Sequence, residues 1–443
     1  MQIGEEPTNW DKVQALQAAL RAKAKESPSF RFYSLYDKVY RKDVLTIAFW
    51  HCRFNDGAPG VDDQTFMEII DYGVDRWLDE LAEELRTKTY CPQAVRRGYI
   101  PKADGKQRPL GIPTVKDRVV QTAVLLILEP IFEADLQPEQ HAYRAGHSAL
   151  AAVGEVQQLV AEGYREVVDA DLSGYFDSIP HAELMQCLAR RISDKALLHL
   201  LKQWLEAPVE EYDKQGRCQR TTTNKDTGRG TPQGSPISPL LANLYMRRFI
   251  LGWKQLGYAN QFRARIVNYA DDFVILCRHS GPQALEAMRN MMERLKLTVN
   301  EAKTKACRLP AESFTFLSYT FGRLYSPRNG HPYLGLRPAK KALRNLRDKI
   351  SDLTSRRQVG GSEEQMVKKL NRILCGWANY FCLGTLSPTH QAINRHVRHR
   401  LYHWFHRKYP RSTPPAAELN QRLTTLGLVR LGARRKTLRE AKA

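Results

Sequence analysis

Asp271 and Asp272 stand side by side inside a stretch that otherwise reads as buried strand. Ile266-Val267-Asn268-Tyr269-Ala270 precedes them and Phe273-Val274-Ile275-Leu276 follows. Short runs of β-branched and aromatic residues of this kind favour buried strands. Two carboxylates at a turn between such strands do not serve packing. They repel one another, and buried charge is costly unless it is paired or coordinates a metal. A divalent cation is their natural partner. The fold must therefore present concentrated negative charge at a strand turn, and other strands must support it.

A second acidic strand supplies that support: Glu166-Val167-Val168-Asp169-Ala170-Asp171-Leu172. Period-two alternation puts Asp169 and Asp171 on one face, with Val168, Ala170 and Leu172 on the other. The strand runs into Ser173-Gly174-Tyr175-Phe176-Asp177-Ser178, a turn opening a helix from about Pro180 to Ile192. Proline suits that first helical turn. Three carboxylates on neighbouring strands suit two divalent ions, which clamp the attacking and leaving oxygens of an in-line phosphoryl displacement. Hard oxygen ligands point to magnesium. Spacing alone leaves Asp169, Asp171 and Asp177 equally eligible to join the pair.

Charge narrows the partner. The 443 residues carry 68 Lys and Arg against 47 Asp and Glu, a formal net charge of +21. Such an excess favours a polyanion, nucleic acid ahead of a membrane surface. It is also uneven: Lys340 to Ala443 holds 23 Lys and Arg and 6 Asp and Glu, which is +17 of the total. The C-terminal quarter is thus the better candidate for a sequence-independent phosphate-binding surface. A basic, aromatic segment from Phe30 to Arg41 adds to it near the N-terminus.

Several classes are disfavoured. The eight cysteines are scattered singly with no Cys-x-x-Cys, so neither a zinc module nor a disulfide framework is indicated. The N-terminus lacks a basic-then-apolar signal, and the apolar run Ala123 to Leu128 is too short to span a bilayer. A cytoplasmic protein with no membrane partner is expected.

Helical spacing is clear from residue 9 to 25, about Thr65 to Thr87, Lys116 to Phe132, Ser148 to Glu162, Leu240 to Leu251 and Gln283 to Leu295. Glu210 to Gly230 reads as a polar linker, and Phe314 to Phe321 as one apolar strand. Asp104-Gly105 reads as a hairpin turn carrying Lys102, Lys106 and Arg108. Cations there suit a triphosphate or phosphate backbone as well as a solvated edge. Thr231 to Pro239 is a Gly/Pro/Ser loop feeding a helix N-terminus, a place where backbone N–H groups receive anions. Beyond Pro338 three amphipathic helices follow. The stripes are Leu343, Leu346, Ile350 and Leu353, then Met366, Leu370, Ile373, Trp377 and Phe381, then the basic His396 to Lys408. A small bundle with a cationic exterior is expected. His399 and His403 have zinc-pair spacing but no evident third ligand, which favours nucleic-acid contact or partial burial.

These motifs, in this order, resemble the reverse transcriptase–maturases encoded by bacterial group II introns. Tyr269-Ala270-Asp271-Asp272 is similar to the catalytic box of reverse transcriptases. Further matching segments are Asn55-Asp56-Gly57-Ala58-Pro59-Gly60-Val61-Asp62, Tyr99-Ile100-Pro101-Lys102, Arg108 to Pro113, Asp117 to Gln121, Val168 to Asp177, and Thr231-Pro232-Gln233-Gly234 with Ser238 to Asn243. Phe316-Leu317-Ser318-Tyr319 resembles the last polymerase block, and Gly376 to Phe381 the family's thumb.

The resemblance implies an α+β right-hand polymerase. Residues 1–95 would form an N-terminal extension and the start of the fingers. Residues 96–335 would form fingers and palm, 336–410 a helical thumb, and 411–443 a short basic tail, at most a reduced DNA-binding region. It implies an RNA-directed DNA polymerase with two Mg²⁺ ions on Asp171, Asp271 and Asp272, leaving Asp169 and Asp177 structural. It places Phe176 where a ribose 2′-hydroxyl is blocked, and Gln233 near the sugar and templating pair. Lys102 and Arg108 would contact the triphosphate, and Lys303 would protonate pyrophosphate. Implied partners are group II intron RNA or another RNA template, a DNA primer or target, and dNTPs. Binding of the intron RNA would assist splicing and mobility; a freestanding reverse transcriptase in defence or DNA repair is the alternative. Two segments depart from the family. His141 to Ser148 stands where Gly-Phe-Arg-Pro-Gly-Arg-Ser is usual, and Ser318 where glycine is common. No paired Cys-x-x-Cys follows the thumb, so the HNH endonuclease module is expected to be lacking and the primer to be made elsewhere.

Overall fold

The computed structural model describes residues 10–101, 107–213, 215–326, 329–412 and 414–432. Its centre is the helix Val115–Glu133, almost wholly buried. Thr114 caps it by accepting a hydrogen bond from the Asp117 N–H at 3.0 Å. The N-terminal helix Trp10–Glu26 lies against it through Val13, Leu20 and Ala24, and Gln17 Nε2 donates to Leu126 O at 2.9 Å. The Asn55–Asp62 motif is a seat for this helix. A Cβ on Gly60 would lie 2.5 Å from Thr114 Cα, and Arg118 Nη2 donates to Ala58 O at 2.7 Å.

The helix expected over about 65–87 is two helices, Phe66–Tyr72 and Val74–Arg86. Gly73 separates them at φ +107°, a backbone state that glycine adopts without a Cβ clash.

The strands are β1 Val95–Pro101, β2 Gln107–Ile112, β3 Glu166–Asp171, β4 Val209–Tyr212, β5 Cys218–Thr221, β6 Ala264–Tyr269, β7 Asp272–Cys277, β8 Lys305–Arg308, β9 Phe314–Phe316, β10 Tyr319–Tyr325 and β11 Pro332–Pro338. They form three sheets, ordered β2-β1-β4-β5, β6-β7-β3-β8 and β11-β10-β9. Two sequence expectations change here. The polar linker contains the hairpin β4–β5, joined in parallel to β1 with Val95 opposite Val209. An outer hairpin facing water is polar like a loop, which hides it from periodicity. The apolar run Phe314 to Phe321 is a hairpin, because Leu317 and Ser318 turn the chain at φ +45° and +64°. The turn folds Phe314 onto Phe321, with stacked rings 4.9 Å apart.

The sheet β6-β7-β3-β8 has two apolar faces. Val168, Ala170, Phe273 and Ile275 face the core around the long helix. Val167, Val274 and Leu276 face a second core with the helix Ala149–Ala161 and the sheet β9–β11. Alternation puts Asp169, Asp171 and Asp272 on this second face, toward the strand ends where apolar packing stops.

The C-terminal bundle comprises Lys340–Leu353, Glu363–Tyr380, Ser387–Lys408 and Ala416–Thr425. Its core includes Leu346, Ile350, Leu370, Trp404, Leu419, Leu423 and Leu431. Packing thus continues past residue 410: the last helix closes the bundle, where the sequence reading had only a basic tail. Residues 433–443 lie outside the described residues. His399 and His403 pack edge to face with centroids 4.5 Å apart, and His396 Nε2 lies 3.1 Å from Arg347 O. Tyr319 and Tyr380 root the bundle: Tyr319 Oη donates to Tyr380 O at 2.6 Å, and Tyr380 Oη to Leu317 O at 2.8 Å.

Candidate active site

Asp171 and Asp272 are direct partners in the β3–β7 ladder. Tyr269 pairs with Asp272 across the β6–β7 hairpin, so Ala270 and Asp271 form its turn. Ala270 sits at φ +58°, and Asn268 Nδ2 holds its carbonyl at 2.8 Å. The three candidate carboxylates therefore meet at one strand end. Asp169 lies two residues back, opposite Val274 and Lys305.

Crowding shows in their acidity. The Asp272 carboxyl is pushed up to about 7, first by desolvation among the packed atoms around it, then by the charges of Asp271, Asp169 and Asp171. Its side chain nevertheless reaches solvent. Burial likewise raises Asp169 to about 6, with Lys305 opposing. Asp171 is engaged differently: its Oδ2 accepts from Lys303 Nζ at 3.0 Å and from Asn300 Nδ2 at 2.9 Å. Among the described residues no group of three or more His, Cys, Asp or Glu is arranged to hold a metal ion.

The other sequence candidates lie on several elements. Lys102 lies outside the described residues. Arg108 is on β2, opposite Ile100. Phe176 is half-buried beside Tyr175, whose buried ring and hydroxyl, donating to Ala242 O at 2.6 Å, make Tyr175 the structural member of the pair. Gln233 Nε2 donates to Asp177 Oδ2 at 3.2 Å, and its carbonyl accepts from the Gly111 N–H at 2.6 Å. Gly234, at φ +118°, makes that approach possible, since a Cβ there would lie 2.5 Å from Gly111 O.

Tyr143 was not singled out as a site residue from the sequence. It is half-exposed at φ +56°. Burial raises its pKa, the negative charges of Asp271 and Tyr269 raise it further, and Arg108 opposes them. It is thus within electrostatic reach of both the acidic turn and the β2 cation. Buried amides put it there: Asn243 Nδ2 donates to Ala142 O at 2.8 Å, and the His141 N–H to Asn268 O at 3.0 Å. The only signal was that its segment departs from the family pattern.

A cleft of about 760 Å³ opens from Asp272 between the β9–β10 turn and the first two bundle helices. Lys341, Lys349 and Arg372 line it, with Trp377 and Tyr380. A carboxylate end leading into a basic, partly aromatic cleft is suited to a nucleic-acid backbone.

Residues 100–321 match the family described as reverse transcriptase (RNA-dependent DNA polymerase). The chain belongs to the reverse transcriptase family. Residues 343–423 of this reverse transcriptase match the group II intron, maturase-specific domain. It is 31% identical over 388 residues to protein YkfC of Escherichia coli K12, covering 79% of this chain and 98% of YkfC. It is 34% identical over 229 residues to the group II intron-encoded protein LtrA of Lactococcus lactis subsp. cremoris, covering 50% of this chain and 36% of LtrA. The match thus spans about a third of LtrA's length. Among solved structures, apo telomerase from Candida tropicalis aligns over 59% of this chain and 60% of that chain, with 13% identity and a TM-score of 0.38. That likeness is too slight to argue from. The reverse transcriptase has an α+β fold, and among its described residues no helix is long and apolar enough to cross a membrane.

Proposed function

We propose that Asp171, Asp271 and Asp272 hold two Mg²⁺ ions and that this centre copies RNA into DNA from dNTPs on a DNA primer. The observation that carries this is the register of β3 and β7: Asp171 faces Asp272, and Asp271 occupies the turn beside them. The donor set fits the ion. All three are hard oxygen ligands, and the pKa of Asp272 is raised first by desolvation and then by the neighbouring carboxylates, a crowding that a bound cation would relieve. When bound, the pair of ions supplies Lewis-acid stabilisation of the attacking and leaving oxygens.

The protein groups divide the remaining work. Asn300 and Lys303 hold the Asp171 carboxylate in place, and the Lys303 ammonium is the group that would donate a proton to departing pyrophosphate. Arg108, with Lys102, neutralises the triphosphate. Phe176 stands against a ribose 2′-hydroxyl. Gln233, tethered to Asp177 and Gly111, lies against the sugar and the templating pair. Residues 96–335 act as fingers and palm, and the bundle from Lys340, its last helix Ala416–Thr425 included, acts as thumb.

The cationic bundle binds a group II intron RNA and assists its splicing; the maturase-specific match supports this over a freestanding role. Primer extension on an RNA template, with Asp271→Ala as control, tests the polymerase reading. Magnesium-dependent extension that survives Asp271→Ala refutes the site. A splicing assay with cognate intron RNA tests the second role.

A further inference from the structure

Four arginines converge well down the helix Ser238–Gln255, around a pocket of about 360 Å³. Arg247 and Arg248 come from that helix. Arg190 and Arg191 follow the helix His181–Ala189. Asp135 is the one carboxylate in the lining. Neighbouring Glu183 is already paired with Lys296. Arg248 lies six residues beyond Ala242, roughly 9 Å along the helix axis from where Tyr175 is anchored. The pocket shares no residue with the carboxylate centre or the thumb cleft.

Two of the four guanidiniums are committed. Buried Arg191 donates to the carbonyls of Ala24 at 2.7 Å and Phe30 at 3.1 Å, and lies 3.1 Å from Asp135. Arg247 Nε donates to Asp135 O at 2.6 Å. The other two are not. Arg190 is exposed and forms no ion pair among the described residues. Arg248 lies over the Tyr245 ring, 5.3 Å from its centroid, and its buried Nη1 has no hydrogen-bond partner. Buried donors in folded proteins are almost always satisfied, so an orphaned guanidinium N–H in an arginine-lined pocket is a place for an acceptor. Guanidinium forks match phosphate oxygens in geometry as well as charge.

We propose that this pocket is a phosphate site that takes one phosphodiester of a folded RNA, outside the polymerase cleft. The exposed Arg190 lets a backbone phosphate approach, and the +21 charge of the chain favours a polyanion over a small metabolite. The proposal is independent of the polymerase reading, because none of these residues takes part in that chemistry.

Cys187 lines the pocket as a half-buried free thiol and reports on its occupancy; exposed Cys91 is the internal reference. Alkylation is followed by peptide mass spectrometry on the full chain, with an RNA stem-loop or inorganic phosphate as probe at equal phosphate concentration. Selective, several-fold slowing at Cys187 by the RNA but not by inorganic phosphate is expected. Equal protection by both reduces the pocket to a free-anion site and overturns the RNA assignment; protection by neither overturns the proposal. In parallel, Arg190→Gln, a change at an exposed position, is expected to weaken stem-loop binding about 3- to 10-fold and to lower the slope of log affinity against log salt by about one. Primer extension on a pre-annealed duplex should be unchanged. A wild-type slope in the variant refutes the contact.

Discussion

Lys303 Nζ lies 3.0 Å from Asp171 Oδ2, so the carboxylate proposed to bind metal is already partnered by the lysine proposed to act as acid. The two roles are exclusive in time. Lys303→Ala should lower the Mg²⁺ concentration for half-maximal activity several-fold, because the cation no longer competes with an ammonium. The maximal rate of primer extension should fall by about 100-fold or more if the lysine supplies the proton. Magnesium titrations of single-turnover extension separate the effects; no change in either makes Lys303 a solvated surface lysine.

The crowding at Asp272 predicts a pH dependence of stability in metal-free protein. Its pKa rises from an ordinary 3.8 to about 7 on folding. The folded state then binds more protons than the unfolded one between those values, so stability falls as pH rises through that window. Asp272→Asn should remove this contribution. Because Asp272 reaches solvent, the effect is modest: a Tm gain on the order of 1–2 °C at about pH 8, vanishing near pH 4. Thermal melts in chelator at both pH values check it, and an equal shift at both refutes it.

Asn243 anchors the Tyr143 segment through the buried Ala142 carbonyl. Asn243→Ala leaves that carbonyl without its donor and should cost about 1–3 kcal/mol by denaturant unfolding. With the Tyr143 segment no longer held near the acidic turn, KM for dNTP should rise more than kcat falls. Tyr143→Phe should keep the stability of the parent while showing whether the hydroxyl matters to KM.

Phe176→Ala opens space where the sugar of an incoming nucleotide is proposed to sit. The preference for dNTP over rNTP should fall by about tenfold or more, which is about 1.4 kcal/mol of discrimination. Competitive incorporation on an RNA template measures it. An unchanged ratio assigns Phe176 to packing alone.

Ser318 occupies φ +64° in the β9–β10 turn. Glycine adopts that conformation more readily, so Ser318→Gly should stabilise the protein by about 0.4–1 kcal/mol. Denaturant melts test this; a loss of stability would mean that the serine hydroxyl compensates the strain.

What could be read from the chain follows from where its contacts lie. Val168, Ala170 and Phe273 advertise their strands by alternation, and Asp271-Asp272 by charge placed where charge is expensive. Gly73 and the Leu317-Ser318 turn were missed because each breaks an apolar pattern without changing its composition. Longer-range facts had no local signature. Lys303 meets Asp171 across 132 residues, and Asn243 meets Ala142 across 101. The position of Tyr143 near the acidic turn depends on those distant amides. The β4–β5 hairpin escaped notice for the opposite reason, since a solvated outer hairpin has the polarity of a linker.

The paired bonds of Tyr319 and Tyr380 have a mechanical meaning. Each tyrosine holds a main-chain carbonyl belonging to the other's element, which ties the β9–β10 hairpin to the second bundle helix. Gly384 tightens the joint, since a Cβ there would lie 2.2 Å from Leu336 O. One wall of the cleft that opens from Asp272 is thus stitched to the other through main-chain carbonyls, so the junction depends on backbone positions rather than on side-chain packing alone.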